Sequence, residues 1–422
     1  MKVLHITPHL GGGIGSAYAG ITIPCEDCSV QHEVVLLEQP QKNIFVDRVR
    51  GNGCPVSMVP PRNDLIRLLE QADIVQLNWW HHPLMCRFFY EFPEIPVRIV
   101  GWMHCSGCTY PYLRTVLLKK FHKSFFTTPF SYENAEIAVW EKEDRDRRTG
   151  VVFGMGDASR FFPVQPTPHQ GFRIGYMGTL EFSKLHSQFL EFCVEAGKVG
   201  DDVTFVLIGD CGNKDILLEQ AAKYGISDKL EFKGFCSDIG KEFSELDCMG
   251  YLLNPYHFGA SENVILETMA SGVPIITLNQ NTEKYLLTDR ETGFLVNDKY
   301  EYRQVIDKLY RSSTKRTKIG ENAKKRIREK FDAKANQVKL YEYYHEVMQE
   351  EKRVVDFKDA FGPTPSDWFL SAVNEERELF LNNRLEDIPE IFKGESKSSV
   401  RHFLSYYPKN ERFVRWNRQI RQ

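Results

Sequence analysis

Two rhythms alternate along this chain. Short runs rich in Val, Ile, Leu and Phe, at 3–7, 33–37, 56–59, 73–77, 97–103, 124–128 and 150–153, are separated by stretches of helical, amphipathic spacing. The first rhythm fits a buried strand and the second a helix lying on a sheet. Their alternation predicts strand–helix–strand units and a parallel, doubly wound sheet. The pattern then starts again, with strands predicted at 173–177, 204–208, 230–233, 247–253, 274–277 and 293–296. Two Rossmann-like α/β halves in one chain are therefore expected.

The join is legible. Gly154 and Gly156 are followed by Asp157, Arg160, Phe161 and Pro163, and residues 164–170 (VQPTPHQ) have the Pro-rich composition of a linker. Residues 322–350 read as a long helix broken near Phe331 and Asp332, with Val338, Tyr341, Tyr344 and Val347 as its apolar stripe. The expected segments are two domains, 1–163 and 164–330, a connecting helix 331–350 and a helical extension 351–422.

Composition narrows the classes. The 422 residues suffice for two ordinary domains with additions, and a formal charge of −3 gives no general basis for binding nucleic acid. No apolar run approaches the ~18 residues of a membrane-spanning helix. The opening run reads as a first buried strand and not as a secretory signal, so a cytoplasmic protein is expected. Among ten cysteines, Cys25/Cys28 and Cys105/Cys108 have Cys-x-x-Cys spacing, the ligand set of a structural zinc site. The first pair is expected at the far end of the first helix and the second directly after a strand, at opposite edges of the sheet. Reduced thiols and no metal are the expectation. Near the end, Lys397, Arg401, Lys409, Arg412, Arg415, Arg418 and Arg421 stand against Glu395 and Glu411, interleaved with Phe403, Tyr406, Tyr407, Phe413 and Trp416. That pattern fits two arrangements. One is a set of helices packed on the body; the other is a segment lying peripherally on the inner face of an anionic membrane or holding a lipid-linked acceptor.

The strongest chemical signal is GASENVILETMASGVPIIT at 259–277, which runs from a polar turn through a short helix into a strand. Free N–H groups at a helix N-terminus favour an anion such as a diphosphate, and Glu262 and Glu267 beside it suit hydroxyl groups. An anion with hydroxyls describes a nucleotide sugar. The second half, LETMASGVP at 266–274, resembles the donor-binding motif of retaining glycosyltransferases of the GT-B fold, family 4. The resemblance implies two Rossmann-like domains facing a central cleft, a C-terminal crossover helix and, here, a helical extension. It makes 1–163 the acceptor-side domain and 164–330 the nucleotide-sugar domain. The family's first Glu falls on Gly259; either Glu262 takes over its task or the sugar is recognised differently.

Other segments follow the same resemblance. GTLEFSK at 178–184 is similar to the family segment whose Arg and Lys neutralise the diphosphate. Lys184 keeps the Lys, Thr179 stands at the Arg and Ser183 at the Glu, so a cation such as His186 or Arg114 would have to compensate. Gly12 and Gly13 belong to a glycine-rich turn that lets backbone approach a phosphate or sugar, without the spacing of dinucleotide binders. His104 ends a predicted strand at the carboxyl edge, where ligands of open sheets bind, and the family often has a His there near the donor sugar. Trp79, Trp80, His81 and His82 line that edge as acceptor-side candidates, with core packing as their alternative role. Gly209 and Gly234 fall at the family's turn and base-binding positions; Ser261, Asn263 and Val264 complete the donor set. Glu267 is expected on the ribose hydroxyls. Asp144 and Asp146 have the spacing of a metal motif but lie in a charged run that reads as solvated surface.

The expected activity is retaining transfer from a UDP- or GDP-type sugar to a glycan or lipid-linked acceptor in bacterial surface polysaccharide synthesis. No cofactor, metal or nucleic acid is implied. Nucleotide-sugar epimerases and hydrolases share the fold, and the missing Glu and Arg also fit a catalytically silent partner subunit. Both alternatives stay open on sequence grounds.

Overall fold

The structure, a computed structural model, describes the chain except residues 26–28, 155, 183, 258, 394–396 and 421–422. Cys28, Ser183, Glu395 and Arg421 thus lie outside the described residues. The chain divides into two compact units. Unit 1 holds Met1–Gly156, residues 259–261 and Ala333–Gln422; unit 2 holds Asp157–His257 and Glu262–Asp332. The division falls before the expected boundary at 163/164 because the joining segment is tied to unit 2. Phe161 meets the ring of Phe243 at 5.5 Å, Thr167 N–H donates to Ser244 O at 2.8 Å, and Arg160 lies 3.4 Å from Glu267. The connecting helix and the extension, expected as separate segments, both belong to unit 1.

Unit 1 is built on a seven-stranded sheet. Its strands are β1 (Lys2–Thr7), β2 (Gln31–Leu36), β3 (Val56–Met58), β4 (Ile74–Trp79), β6 (Ile99–Met103), β7 (Lys123–Phe126) and β8 (Thr149–Val151), with a two-residue β5 (Pro96–Val97) outside it. The order is β3-β2-β1-β4-β6-β7-β8, all parallel. The strand order therefore reverses between β1 and β4, which opens a crevice at their carboxyl ends. β3 stops at Met58, one residue earlier than expected, because Val59 adopts a φ of +47°.

Unit 2 repeats the plan with β9 (Phe172–Met177), β10 (Val203–Ile208), β11 (Leu230–Gly234), β12 (Cys248–Tyr251), β13 (Ile275–Leu278) and β14 (Phe294–Val296). Their order is β11-β10-β9-β12-β13-β14, which puts the reversal between β9 and β12. Gly178, Gly209 and Gly234 stand at the carboxyl ends of β9, β10 and β11 with φ of +149°, +132° and +70°. A Cβ on Gly209 would come within 2.2 Å of Gly178 O, so the backbones meet there only because neither carries a side chain.

After a π-helical turn at Ile327–Phe331 the chain passes Asp332 and enters the helix Ala333–Met348 of unit 1. Leu340, Tyr341, Tyr344 and Val347 are buried. Val338, expected in that stripe, is 53% exposed, because it falls off the face defined by 337, 340, 341, 344 and 347. The extension then adds a short β15 (Arg353–Val354), antiparallel to β5, which is why the predicted strand 97–103 appears in two pieces.

The rest of the extension is short helices ending in Val400–Tyr406 and Glu411–Ile420. Phe361, Trp368, Phe369, Phe380, Phe392, Phe403, Phe413 and Trp416 share one core with Trp79, Phe89 and Tyr110. Trp416 Nε1–H donates to Phe380 O at 3.0 Å. The aromatic face of the last helix is consumed inside unit 1, so of the two arrangements read for this segment the packed one is found. No helix among the described residues is long and apolar enough to cross a membrane.

Candidate functional site

In unit 2 the site grows from the reversal point. The segment after β9 is stitched to the segment after β12: Asn254 N–H donates to Lys184 O at 2.8 Å and His186 N–H to Leu252 O at 3.1 Å. That stitching delivers Lys184 Nζ to 3.1 Å from Glu262 Oε2, and Tyr251 OH donates to the same oxygen at 2.6 Å. His257 follows, its Nδ1 3.8 Å from Glu262 Oε1 and its Nε2 3.2 Å from Glu283 Oε1. Gln280 Nε2 donates to Glu283 Oε1 at 3.4 Å and to Leu253 O at 3.0 Å.

These are buried groups, Glu262 at 6% exposure, His257 at 1% and Glu283 at 0%. Burial alone would discharge them. For His257 burial works to lower the pKa, but Glu283 and Glu262 outweigh it and raise it. For Glu262 burial works upward, but Lys184, His257 and Tyr251 outweigh it and hold the carboxyl below its ordinary value. Cation and carboxylate therefore alternate through the interior.

The segment continues as the helix Asn263–Ser271, closed by Gly272 in the left-handed region at φ +82°. Glu262 occupies its N-cap, yet its side chain makes no capping bond because Lys184 and Tyr251 already hold it. Ser261 Oγ and Asn263 Oδ1 are buried with no hydrogen-bond partner among the described residues. Val264 is the second helical residue, and Glu267 one turn later faces the Arg160 guanidinium at 3.4 Å. Arg160 stacks on Phe161 at 4.4 Å. Thr179 accepts from Tyr176 OH through its carbonyl at 3.1 Å. Neither proposed replacement cation is spare: Arg114 pairs with Glu136, and burial pushes the His186 pKa down. Arg160 is the cation sequence reading missed. Its signal was present, as part of the Arg-Phe-x-Pro run, but was read as a joint. Tyr251 and His257 carried no sequence signal, since only the fold brings them to Glu262.

Unit 1 offers a different kind of edge. Gly12, at φ +54°, and Gly13 open the helix Gly12–Ile21 after β1. His104 follows β6, its N–H donating to Trp79 O at 2.7 Å. Its ring bonds Asn78 Oδ1 through Nε2 at 2.9 Å. Asn78 Nδ2 donates to Ile6 O at 3.1 Å and to Tyr18 OH, so Oδ1 must be the acceptor and His104 carries its proton on Nε2. Tyr18 OH then donates to His5 Nδ1 at 3.3 Å, His5 Nε2–H to His32 Nδ1 at 2.8 Å, and His32 Nε2–H to Tyr341 OH at 2.9 Å. One directed row of hydrogen bonds runs from the carboxyl edge to the amino-terminal edge of the sheet. Burial pushes the His104 pKa down to about 3 and that of His32 to about 4. His104 is thus a neutral ring with its Nδ1 lone pair available to a hydroxyl.

The four acceptor-side candidates separate. Trp79 packs among Phe89, Phe361 and His81, and His81, at φ +60°, bonds Trp368 O at 2.9 Å. Both turn inward and anchor the extension, contrary to an acceptor role. Trp80 and His82 are also buried but lie beside the other polar groups of the edge, Trp80 edge-on to His9 at 5.7 Å and to His104 at 6.4 Å. Cys105 is buried, its thiol pushed up to about 12, and Cys108 Sγ lies 3.2 Å from Phe130 O. Asp144 pairs with Arg147 and Arg148 on a surface helix, as a solvated run would.

Comparison with known proteins adds the following. Residues 157–326 match the family model described as glycosyl transferases group 1. EpsD of Bacillus subtilis is 26% identical over 223 residues, 49% of this chain and 58% of EpsD. The capsular polysaccharide biosynthesis glycosyltransferase CapM of Staphylococcus aureus is 26% identical over 188 residues, 44% of this chain and 48% of CapM. The chain spans about half the length of these curated relatives. Among solved structures, Anabaena Alr3699/HepE in complex with UDP superposes with a TM-score of 0.63 at 17% identity, over 82% of this chain and 100% of that one. A glycosyltransferase from Rickettsia africae gives a TM-score of 0.65 at 17% identity, over 83% and 99%.

Proposed function

Residues 157–326 belong to the group 1 glycosyl transferases and the chain has the GT-B fold; from that premise we propose that it is a cytoplasmic, nucleotide-sugar-dependent glycosyltransferase acting on a glycan acceptor in bacterial surface polysaccharide synthesis, with retention of anomeric configuration. The observation that carries the reading is the Lys184–Glu262 pair at the reversal point of unit 2, where a fixed cation stands at the carboxyl edge beside the Glu267 helix. Breaking the bond from the anomeric carbon to the diphosphate builds negative charge on the leaving phosphate, and a pre-set cation stabilises it without reorganising. Glu262 holds Lys184 in position, Glu267 accepts from the ribose hydroxyls, and the neutral His104 ring accepts from a sugar hydroxyl. The UDP bound to HepE and the name of CapM support a uridine donor and a polysaccharide product.

A thermal-shift screen against UDP, GDP, ADP and their sugars tests the donor, since a ligand of the folded state raises its melting temperature. One nucleotide and its sugar should stand out. Transfer should persist in excess EDTA, with Lys184 and the helix N-terminus neutralising the diphosphate, and NMR of the first-formed product should give the donor's anomeric configuration. Nucleotide binding without turnover on any acceptor would favour a silent partner subunit, and an inverted product would reject retention.

A further inference from the structure

At the carboxyl edge of unit 1, the turns after three adjacent strands and one helix of the extension converge on Glu38. His9 follows β1, Glu38 follows β2 and His82 follows β4. Tyr406, from the helix Val400–Tyr406, donates its hydroxyl to Glu38 Oε2 at 2.5 Å. His82 Nε2 lies 3.6 Å and His9 Nε2 3.8 Å from Glu38 Oε1. The His402 ring meets His82 edge-on at 4.7 Å. The approach is fixed by Ser398, whose Oγ–H donates to Trp80 O at 2.8 Å while its own carbonyl accepts from Tyr110 OH at 2.5 Å.

The cluster sits where core meets solvent, with His82 and Trp80 buried. Glu38 and His9 keep 25% and 17% of their side-chain surface in solvent, and Tyr406 and His402 are half-buried. It is not suited to a metal, although ligand atoms of His9, Glu38 and His82 lie within 4.8 Å of one another. His82 Nδ1 accepts from Leu84 N–H at 3.2 Å as the cap of the helix Pro83–Tyr90, so its proton sits on Nε2, the atom that faces Glu38. His402 Nδ1 likewise accepts from Ser398 N–H at 2.9 Å, leaving Nε2–H as a donor. What remains is one carboxylate facing the Lys397 ammonium, several neutral N–H donors and a tyrosine, beside an indole whose Nε1–H is buried without a partner among the described residues. Trp80 in turn neighbours His104. A carboxylate that accepts from the Tyr406 hydroxyl and is offset by one lysine, among neutral donors and an aromatic wall, is complementary to an uncharged sugar ring.

We propose that the C-terminal extension completes the acceptor site: Tyr406 and His402, with Glu38, His9, His82 and Trp80, bind an uncharged saccharide residue of the acceptor. The proposal rests on the glycosyltransferase reading and deepens it, since it assigns to the extension a binding role of its own.

The test uses the full chain and two kinds of probe. Saturation-transfer NMR with methyl glucosides, galactosides, mannosides and N-acetylglucosaminides, and methyl glucuronide as the charged member, reads saccharide binding; titration with UDP and GDP reads the donor side. At least one neutral glycoside should bind, with shifts in the Trp80 indole and His402 imidazole signals. Glu38→Gln and Tyr406→Phe should each weaken it by roughly ten-fold while nucleotide affinity and melting temperature stay unchanged. Should a variant fail to fold, the indole and imidazole shifts in the unmodified protein decide alone. Nucleotide binding with no glycoside binding overturns the proposal and spares the donor reading. So does glycoside binding that both variants retain in full, a preference for the glucuronide, or stoichiometric zinc lost in Glu38→Gln. Loss of nucleotide binding in the unmodified protein removes the glycosyltransferase reading itself, and the proposal with it.

Discussion

His257 of unit 2 and the buried histidines of unit 1 behave oppositely under the same pressure. In unit 1 burial prevails: His104 is driven to about 3, His9, His32, His81 and His402 to about 4, and these rings work as neutral donors and acceptors. In unit 2 His257 is as deeply buried, yet Glu283 and Glu262 on either side raise its pKa. Burial sets the penalty; the neighbours decide whether it is met by discharging the ring or by surrounding it with carboxylates. One unit thus presents uncharged hydrogen-bonding groups suited to hydroxyls, the other a compensated ladder of charge suited to a phosphate.

Acid should break this contrast most visibly. His81 and His104 have folded pKa values far below the unfolded value near 6.5, so the unfolded state binds the proton first. Their stabilisation is complete above about 6.5 and is lost as pH falls toward 3–4, at about 1.4 kcal/mol per pH unit for each. His257 has the reverse sign: its stabilisation is full below the unfolded value and fades as pH rises through its raised folded value. Histidine NMR titrations beside urea melts at stepped pH should resolve both; a ring of His104 that protonates near 6 would refute the unit 1 half.

Glu262→Gln comes next. It strips the carboxylate from Lys184 and His257 together, and removing one partner of a buried pair costs on the order of 3–5 kcal/mol. Urea denaturation should register a loss of that order, and the His257 pKa should fall. A shift under ~0.5 kcal/mol would mean that the ladder is decorative.

Smaller effects test the ligands. Glu267→Ala and Lys184→Ala should each weaken nucleotide binding by about ten-fold without unfolding the chain, read by calorimetric titration. Unchanged affinity in both would sink the assignment. Smallest is a gain: Thr179→Arg, which returns a cation to an exposed position, should tighten nucleotide binding by a factor of about two to five, the scale of a surface ion pair.

Much of the fold was legible because central strands buried on both faces must be continuously apolar, and every predicted strand of the two main sheets appears within a few residues. β5 and β15 were not, since two residues carry no periodicity and their pairing joins distant segments. Within the site, Lys184, Glu262 and Glu267 were visible as motif residues, but their pairings were not. Tyr251, His257 and Arg160 acquire meaning only when β9 and β12 become neighbours. His5 and His32 look like polar blemishes in apolar strands until the sheet aligns them with Tyr18 and Asn78. The extension was hardest, because an aromatic, basic helix has the same pattern whether it covers a membrane or a core.

The row from His104 to Tyr341 also makes a clock of one proton. Every member donates in the same sense, and reversing it would demand that Asn78 turn over and abandon Ile6 O. The Nε2 proton of His104 is therefore held against a local tautomer swap for as long as its bond to Asn78 Oδ1 lasts. Its exchange lifetime measures how often that bond opens, and a bound sugar that lengthens it would report that the row has been steadied without touching the proton itself.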